Sequence, residues 1–191
     1  MKVNKTPARS RLLRAADRML FTRGVQATPV DELLREAETS AATLYAQFGS
    51  KDGLLAKALE GRLSHWQAEW DSHIVEATDD TARLLAIFDA LLDYRDGSRS
   101  STRWCAFLAT ASELSAPPES VLAVLEADSA LLRKRLLHLS EPLAGERAHE
   151  LADAVELIYS GALASFLRGE PLDPIAVGRR TAAVVVASFG S

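Results

Sequence analysis

The segment from Thr28 to Leu55 constrains the fold most, because it encodes two short helices separated by a tight turn. Pro29 suits the first position of a helix, where its missing N–H would have no partner within the helix. Thr28 precedes it and is expected to cap this first helix, whose apolar residues recur at helical spacing. The polar triplet Glu38-Thr39-Ser40 then predicts the turn.

A second short helix is predicted from Ala41 to Phe48, with Ser40 as its N-terminal cap. Leu44 and Phe48 are expected to point inward because they are separated by one helical turn. The outward positions carry small or polar residues: Ala42, Tyr45 and Ala46. A short helix with such a face, placed after a tight turn, is what a helix-turn-helix motif needs to enter a major groove.

The run Ser40-Ala-Ala-Thr43-Leu44-Tyr45-Ala-Gln47-Phe48-Gly-Ser50-Lys51 resembles the helix-turn-helix signature of the TetR family of bacterial transcriptional repressors. The resemblance extends from Leu12 to Leu59. It implies an all-α fold, in which an N-terminal three-helix DNA-binding domain precedes a C-terminal helical domain that binds an effector and dimerises. We expect about nine helices in all.

The expected domain boundaries follow from this resemblance. Residues 1–50 would form the DNA-binding domain and residues 51–191 the effector-binding and dimerisation domain, with a helix over 51–75 linking the two. Further helices are predicted from apolar spacing and from breaks at Gly and Pro. They run over Arg9–Arg23, from Asp80 to about Arg95, and over Trp104–Leu114, Glu119–Leu139, Gly145–Arg168 and Pro174–Phe189.

The charge is distributed unevenly, although the chain as a whole carries a net charge of −4. Residues 1–62 contain 11 Lys or Arg and 7 Asp or Glu, a net of +4, and the remaining residues carry a net of −8. A basic N-terminal part on an acidic body predicts that only one end of the protein contacts DNA. The basic residues Lys2 and Lys5 would belong to a terminal arm that either touches DNA or is merely solvated.

The resemblance also implies a set of DNA contacts. Phosphates would be bound by Thr28, Tyr45 and Lys51. Thr43 would support the side of the second helix that faces the DNA backbone. Alanine can contact a thymine methyl group, and glutamine can pair with the edge of an adenine. The full set of expected DNA-binding residues is Thr28, Ser40, Ala41, Ala42, Thr43, Tyr45, Gln47 and Lys51.

An effector pocket is expected in the body, because regulators of the TetR family normally contain one. Its candidate lining is aromatic, which would suit a small apolar ligand, although each of these side chains taken alone is as easily explained as ordinary core. The candidates are Trp66, Trp70, Phe88, Trp104, Phe107 and Tyr159.

The last two predicted helices contain more apolar and small residues than a helix with one buried face requires. In aqueous solution such apolar faces must be buried, and a symmetric second copy of the chain buries them most simply. A homodimer through these two helices is therefore expected, as in the family. A protein adaptor whose last helices are covered by a different partner is the alternative.

No catalytic, cofactor or metal motif is apparent. His65, Glu69 and His73 are spaced along one predicted helix, but the two histidines lie too far apart to bind one ion, so we expect a solvated face. Cys105 is expected to be a small buried hydrophobe rather than a redox sensor. No apolar run is long enough to span a membrane, which predicts a soluble cytoplasmic protein. The lack of a catalytic motif predicts that it is not an enzyme.

These observations predict a ligand-responsive, DNA-binding transcriptional regulator. It would repress transcription as a dimer on a near-palindromic, double-stranded operator and would be released by a small-molecule effector. The alternative is a helical ligand-binding protein or enzyme whose DNA-binding head is not functional.

Overall fold

The computed structural model describes residues 6–96 and 105–189. Within these ranges the chain is helical, with no strand, which confirms the predicted all-α fold. The helices are α1 (Ala8–Arg23), α2 (Val30–Glu36), α3 (Ala41–Phe48), α4 (Lys51–Glu76), α5 (Asp80–Asp96), α6 (Ala106–Glu113), α7 (Glu119–Ala144), α8 (Ala148–Arg168) and α9 (Pro174–Phe189). A single 3-10 turn, Gly145–Arg147, precedes α8. None of the helices described has the length and apolar character needed to cross a membrane.

The chain forms two compact units. The first contains Met1–Leu63 and Ser101–Glu126, and the second contains Ser64–Ser100 and Ala127–Ser191. Helices α4 and α7 therefore each have residues in both units. The functional boundary expected at residue 50 stays a prediction.

The first unit is built on a hydrophobic core to which α1, α2, α3, the start of α4, α6 and the start of α7 contribute. The fully buried side chains at its centre include Leu12, Leu20, Leu33, Leu44 and Leu59. Burial of each such leucine stabilises the fold by about 1.5–3 kcal/mol relative to an exposed position. This core fixes α3 in place and leaves its opposite face to solvent.

In the second unit, α9 packs against α8 and α5. Gly178 marks the point of close approach, since a Cβ atom there would lie 3.0 Å from the Phe88 ring and 3.2 Å from the Ala162 methyl group. An ion pair reinforces the contact between α9 and α5, with Arg179 Nε 2.8 Å from Asp89 Oδ1.

Two details differ from the sequence-based expectations. Helix α7 continues to Ala144 instead of ending at Leu139, and Pro142 lies within its last turn. Thr28 does not cap α2, because its hydroxyl donates instead to the carbonyl of Gly24 at 2.7 Å.

Candidate nucleic-acid interface

Helix α3 is fixed at its start by the predicted cap. Ser40 Oγ accepts a hydrogen bond from the backbone N–H of Thr43 at 3.3 Å, and the two hydroxyl oxygens lie 3.0 Å apart. This bond satisfies one of the free donors at the N-terminus of the helix, where the helix dipole also favours an anion.

The two faces of α3 differ as the spacing predicted. Leu44 is completely buried and Phe48 partly so, whereas Tyr45 is 54% exposed. The other residues with exposed side chains on this helix are small or uncharged: Ala41, Ala42, Ala46 and Gln47. The exposed face therefore offers methyl groups, one amide and one phenol to a binding partner.

The turn between α2 and α3 is held by Arg11 of α1. Its Nε donates to the carbonyl of Ala37 at 2.7 Å, and Nη2 donates to that of Glu38 at 3.0 Å. Glu38 has a φ of 48°, which is uncommon for a residue other than glycine. Carbonyls at a helix C-terminus lack partners within the helix, so the Arg11 guanidinium both satisfies them and complements the helix dipole.

The junction between α3 and α4 depends on Ser50 and Gly53. The Ser50 hydroxyl accepts from the N–H of Gly53 at 3.0 Å, which confirms the predicted cap of α4. A Cβ atom on Gly53 would lie only 2.0 Å from the carbonyl oxygen of Phe48. Glycine at this position thus allows the end of α3 to lie directly against the first turn of α4.

Lys51, at the start of α4, donates from Nζ to the carbonyl of Val25. Burial lowers the pKa of Lys51, while the carboxylates of Asp52 and Glu113 raise it and so oppose that shift. An ammonium group has three N–H donors, so its bond to Val25 does not preclude a phosphate contact.

Thr28 lies in a different environment from the other expected DNA contacts. Its side chain is 0% exposed, and its hydroxyl donates to Gly24 at 2.7 Å. A phosphate could reach the hydroxyl only after a local rearrangement. Ser40, Ala41, Ala42, Tyr45 and Gln47 are all exposed, while Thr43 and Lys51 are partly buried.

Four of the expected effector-pocket residues meet in the second unit. Trp66 lies 5.7 Å from Trp70 and 6.2 Å from Tyr159, and Phe88 lies 6.3 Å from Tyr159, measured between ring centroids. Phe107 instead belongs to the hydrophobic core of the first unit. Trp104, like Lys2 and Lys5, lies outside the described residues.

Three residues that position the interface were not singled out from the sequence. Gly53 had a recognisable signal, since glycine in the first turn of a helix is costly unless it serves a close approach. Arg11 and Glu113 had none, because their partners lie 26 and 88 residues away in the chain.

A capped helix-turn-helix on a locally basic unit is the architecture of a DNA-binding domain. Residues 12–58 match the family model described as bacterial regulatory proteins, tetR family. These residues therefore carry the DNA-binding domain of that family, and the chain as a whole has the fold of solved TetR-family transcriptional regulators.

Solved structures extend this likeness over the whole chain. A TetR-family transcriptional regulator from Streptomyces coelicolor is 21% identical, with 96% of each chain covered and a TM-score of 0.87. The reduced form of NemR from E. coli is 18% identical, covering 96% of this chain and 97% of NemR, with a TM-score of 0.75. A search of curated protein sequences found no significant match.

Proposed function

We propose that the chain is a homodimeric transcriptional repressor that binds a near-palindromic operator in the cytoplasm and is released by a small molecule. The exposed face of α3 carries this proposal. Two copies of α3 would enter successive major grooves about 34–36 Å apart, which requires two half-sites related by symmetry.

The residues expected to contact DNA each have a role in the proposal, except Thr28. Tyr45 and Lys51 bind phosphates, with Ser40 and Thr43 at the N-terminus of α3 supporting the same side. Gln47 pairs with a base edge, while Ala41 and Ala42 contact thymine methyl groups. Thr28 has no side-chain contact in this proposal, because it is buried.

The experiment that tests DNA binding begins with selection of bound sequences from a random pool of duplexes. Affinity for the selected duplex is then measured by fluorescence anisotropy at several salt concentrations. Lys51→Gln retains a donor for the Val25 carbonyl but removes the charge from both subunits of the dimer, so it should reduce the salt slope by about 2. Gln47→Ala should instead relax the base preference at one position of each half-site.

Lys57→Gln is the matched control, because it removes the same charge from the same helix. Lys57 is exposed and pairs with Glu60, with Nζ 2.7 Å from Oε2. Its substitution should leave the salt slope unchanged. Equal slopes for Lys51→Gln and the wild type, or a pool that yields no enriched sequence, would contradict the proposed docking.

The dimer is proposed on the uncovered apolar faces of α8 and α9. Leu157 on α8 is 74% exposed and Val184 on α9 is 73% exposed. Gly161 and Ala164 lie on the exposed surface of α8 near Leu157 and are small enough for another helix to approach closely. Pairing these faces with a second copy would form a bundle of four helices and remove the apolar side chains from water.

Light scattering after size exclusion tests the dimer. The double variant Leu157→Asp, Val184→Asp should elute as a monomer, because it would place four carboxylates in one interface. Val75→Asp is the control, since Val75 is 83% exposed but lies on α4. A wild type that is monomeric at the concentrations used for DNA binding would overturn the proposed dimer.

The effector is proposed to bind at the aromatic cluster of the second unit. Trp70 Nε1 and Arg135 Nη1 are buried donors for which the described residues supply no acceptor. The guanidinium of Arg135 lies over the Trp70 ring, with its carbon 4.7 Å from the centroid, and Nη2 is 2.6 Å from Asp71 Oδ1. Unpaired buried donors are costly, so an effector with a flat apolar body and an acceptor group would suit this site.

Ligands are screened by their ability to raise the melting temperature and to release labelled operator. Arg135→Gln should abolish both effects of an acceptor-bearing ligand, whereas Arg133→Gln, an exposed substitution on the same helix, should abolish neither.

A difference of about 1–3 kcal/mol in the effector's binding free energy between the DNA-bound and released conformations is enough for a useful switch. Helix α4 has residues in both units and is the proposed connection. Turnover of a ligand without operator release would favour an enzyme instead.

A further inference from the structure

A histidine and two carboxylates meet on the surface of the second unit, where the sequence suggested only a solvated helix face. His73 Nε2 lies 3.1 Å from Asp93 Oδ2 and 3.7 Å from Glu69 Oε1. The three ligand atoms all lie within 4.8 Å of one another. Glu69 and His73 are one helical turn apart on α4, and Asp93 comes from α5.

We propose that Glu69, His73 and Asp93 bind one divalent first-row transition metal ion, with Zn²⁺ as the reference ion. Asp93 is the residue that the spacing along α4 could not reveal. The separation of His65 and His73 along α4 excludes these two histidines as joint ligands of one ion. In the structure, the third candidate ligand beside Glu69 and His73 is the carboxylate of Asp93 on the neighbouring helix α5.

The distances from His73 Nε2 to the two carboxylate oxygens are within a few tenths of an ångström of those that such an ion requires. Zn²⁺ binds imidazole nitrogen and carboxylate oxygen at about 2.0–2.2 Å, so two ligand atoms at tetrahedral angles lie about 3.3–3.5 Å apart. The two distances measured from His73 Nε2, 3.1 Å and 3.7 Å, fall on either side of that range.

The ligand types decide the class of metal. A neutral imidazole with two carboxylates neutralises a divalent ion and suits Zn²⁺, Co²⁺ or Mn²⁺, whereas Mg²⁺ and Ca²⁺ prefer oxygen ligands throughout. Three protein ligands also leave a coordination position for water, as in zinc sites that are not purely structural.

Solvent reaches the site, but two of its three side chains are partly buried. The side chains of His73 and Glu69 are 19% and 28% exposed, so their rotamers are restricted by packing, while Asp93 is 61% exposed. An ion held between α4 and α5 would fasten the two helices together. An ion that binds the folded chain but not the unfolded chain would raise the melting temperature of the protein.

The same geometry also allows a simpler arrangement, in which the Nε2–H of His73 donates to a neighbouring carboxylate and no ion is bound. The two arrangements differ in what they bind, since the metal takes the place of the proton on Nε2. A direct measurement of metal binding therefore separates them.

The test uses the full chain without a histidine tag, stripped of metal and titrated with Zn²⁺ by calorimetry. One saturable ion per chain is expected, together with a rise in melting temperature of about 5–10 °C when Zn²⁺ exceeds Kd about 100-fold. Co²⁺ should give visible absorption bands that Zn²⁺ abolishes and that excess Mg²⁺ leaves unchanged.

Three conservative variants test the ligands: Glu69→Gln, His73→Gln and Asp93→Asn. Each should weaken Zn²⁺ binding at least about tenfold while keeping the helical circular dichroism spectrum. His138→Gln is the matched control, because His138 also lies near one carboxylate, Nδ1 to Glu141 Oε2 at 3.3 Å, without being part of a group of three. Zn²⁺ binding that is absent below millimolar concentration, or that survives all three substitutions, would overturn the proposal.

Discussion

The carboxylate of Glu113 accepts a hydrogen bond from the backbone N–H of Val25 at 2.9 Å, although 88 residues separate the two in the chain. Its other oxygen accepts from the N–H of Gln26 at 2.6 Å, and the Gln26 side chain donates to the carbonyl of Glu113 at 3.0 Å. The end of α6 therefore binds the loop between α1 and α2 through both the side chain and the backbone of Glu113. Because Lys51 donates to the Val25 carbonyl, the same loop is also fastened to the start of α4.

Glu113→Gln should lower the free energy of unfolding by about 1–3 kcal/mol, because an amide presents one acceptor and places an NH₂ group against a backbone donor. Chemical denaturation followed by circular dichroism measures this loss. The loss of the carboxylate should also lower the pKa of Lys51 further, since Glu113 is one of the groups that raise it.

Glu60→Gln serves as the control for that substitution. Glu60 is an exposed carboxylate of the same unit that pairs with Lys57 on the protein surface. Its neutralisation should change stability by less than about 1 kcal/mol. Equal effects of the two substitutions would mean that the Glu113 contact with the loop contributes nothing.

Arg11→Ala should weaken DNA binding by loosening the turn that precedes α3. The substitution leaves the carbonyls of Ala37 and Glu38 without the guanidinium donors, and hydrogen bonds to a charged group contribute about 1.5–3 kcal/mol each. We expect a lower melting temperature together with weaker operator binding. Arg14→Ala removes the same charge from an exposed position of α1 and should leave the melting temperature nearly unchanged.

Gly53→Ala and Gly61→Ala form a matched pair within α4. A methyl group at Gly53 would collide with the Phe48 carbonyl, so this variant should be destabilised by about 1–3 kcal/mol and should displace the end of α3. In the described part of the chain, a Cβ built on Gly61 meets no atom within 4 Å beyond its chain neighbours and its own helix backbone, so alanine there should stabilise the helix by about 0.5–1 kcal/mol. Denaturation curves of both variants test this, and a shift of the same sign in each would contradict it.

The local features of the first unit were predictable because their causes are local. The cap residues Ser40 and Ser50, and the burial of Leu44 beside an exposed Tyr45, all follow from residues within one helical turn. The start of α9 was likewise predicted correctly from Pro174, because proline occurs readily in the first turn of a helix.

The features that escaped prediction depend on residues brought together by the tertiary fold. Nothing near Glu113 in the chain indicates that it holds the loop at Val25, and nothing near His73 indicates Asp93. Thr28 has the sequence context of a cap but is buried, because a carbonyl of the preceding turn accepts its hydroxyl proton. Helix α7 ends at Ala144 and not at the predicted Leu139, so that Pro142 lies within its last turn.

Asp128→Asn should stabilise the protein at neutral pH. Burial raises the pKa of Asp128 to about 6 from an ordinary value of 3.8. The folded state therefore binds this proton more tightly than the unfolded state, so stability falls as the pH rises from about 4 to about 6. Asparagine avoids burying a charge, and its advantage should reach at most about 3 kcal/mol at pH 7 and disappear below about pH 4. Glu126→Gln, an exposed substitution on the same helix, should show no such dependence. Urea denaturation of the three proteins at pH 4 and pH 7 measures the difference, and an equal advantage at both pH values would exclude this role for the Asp128 carboxyl.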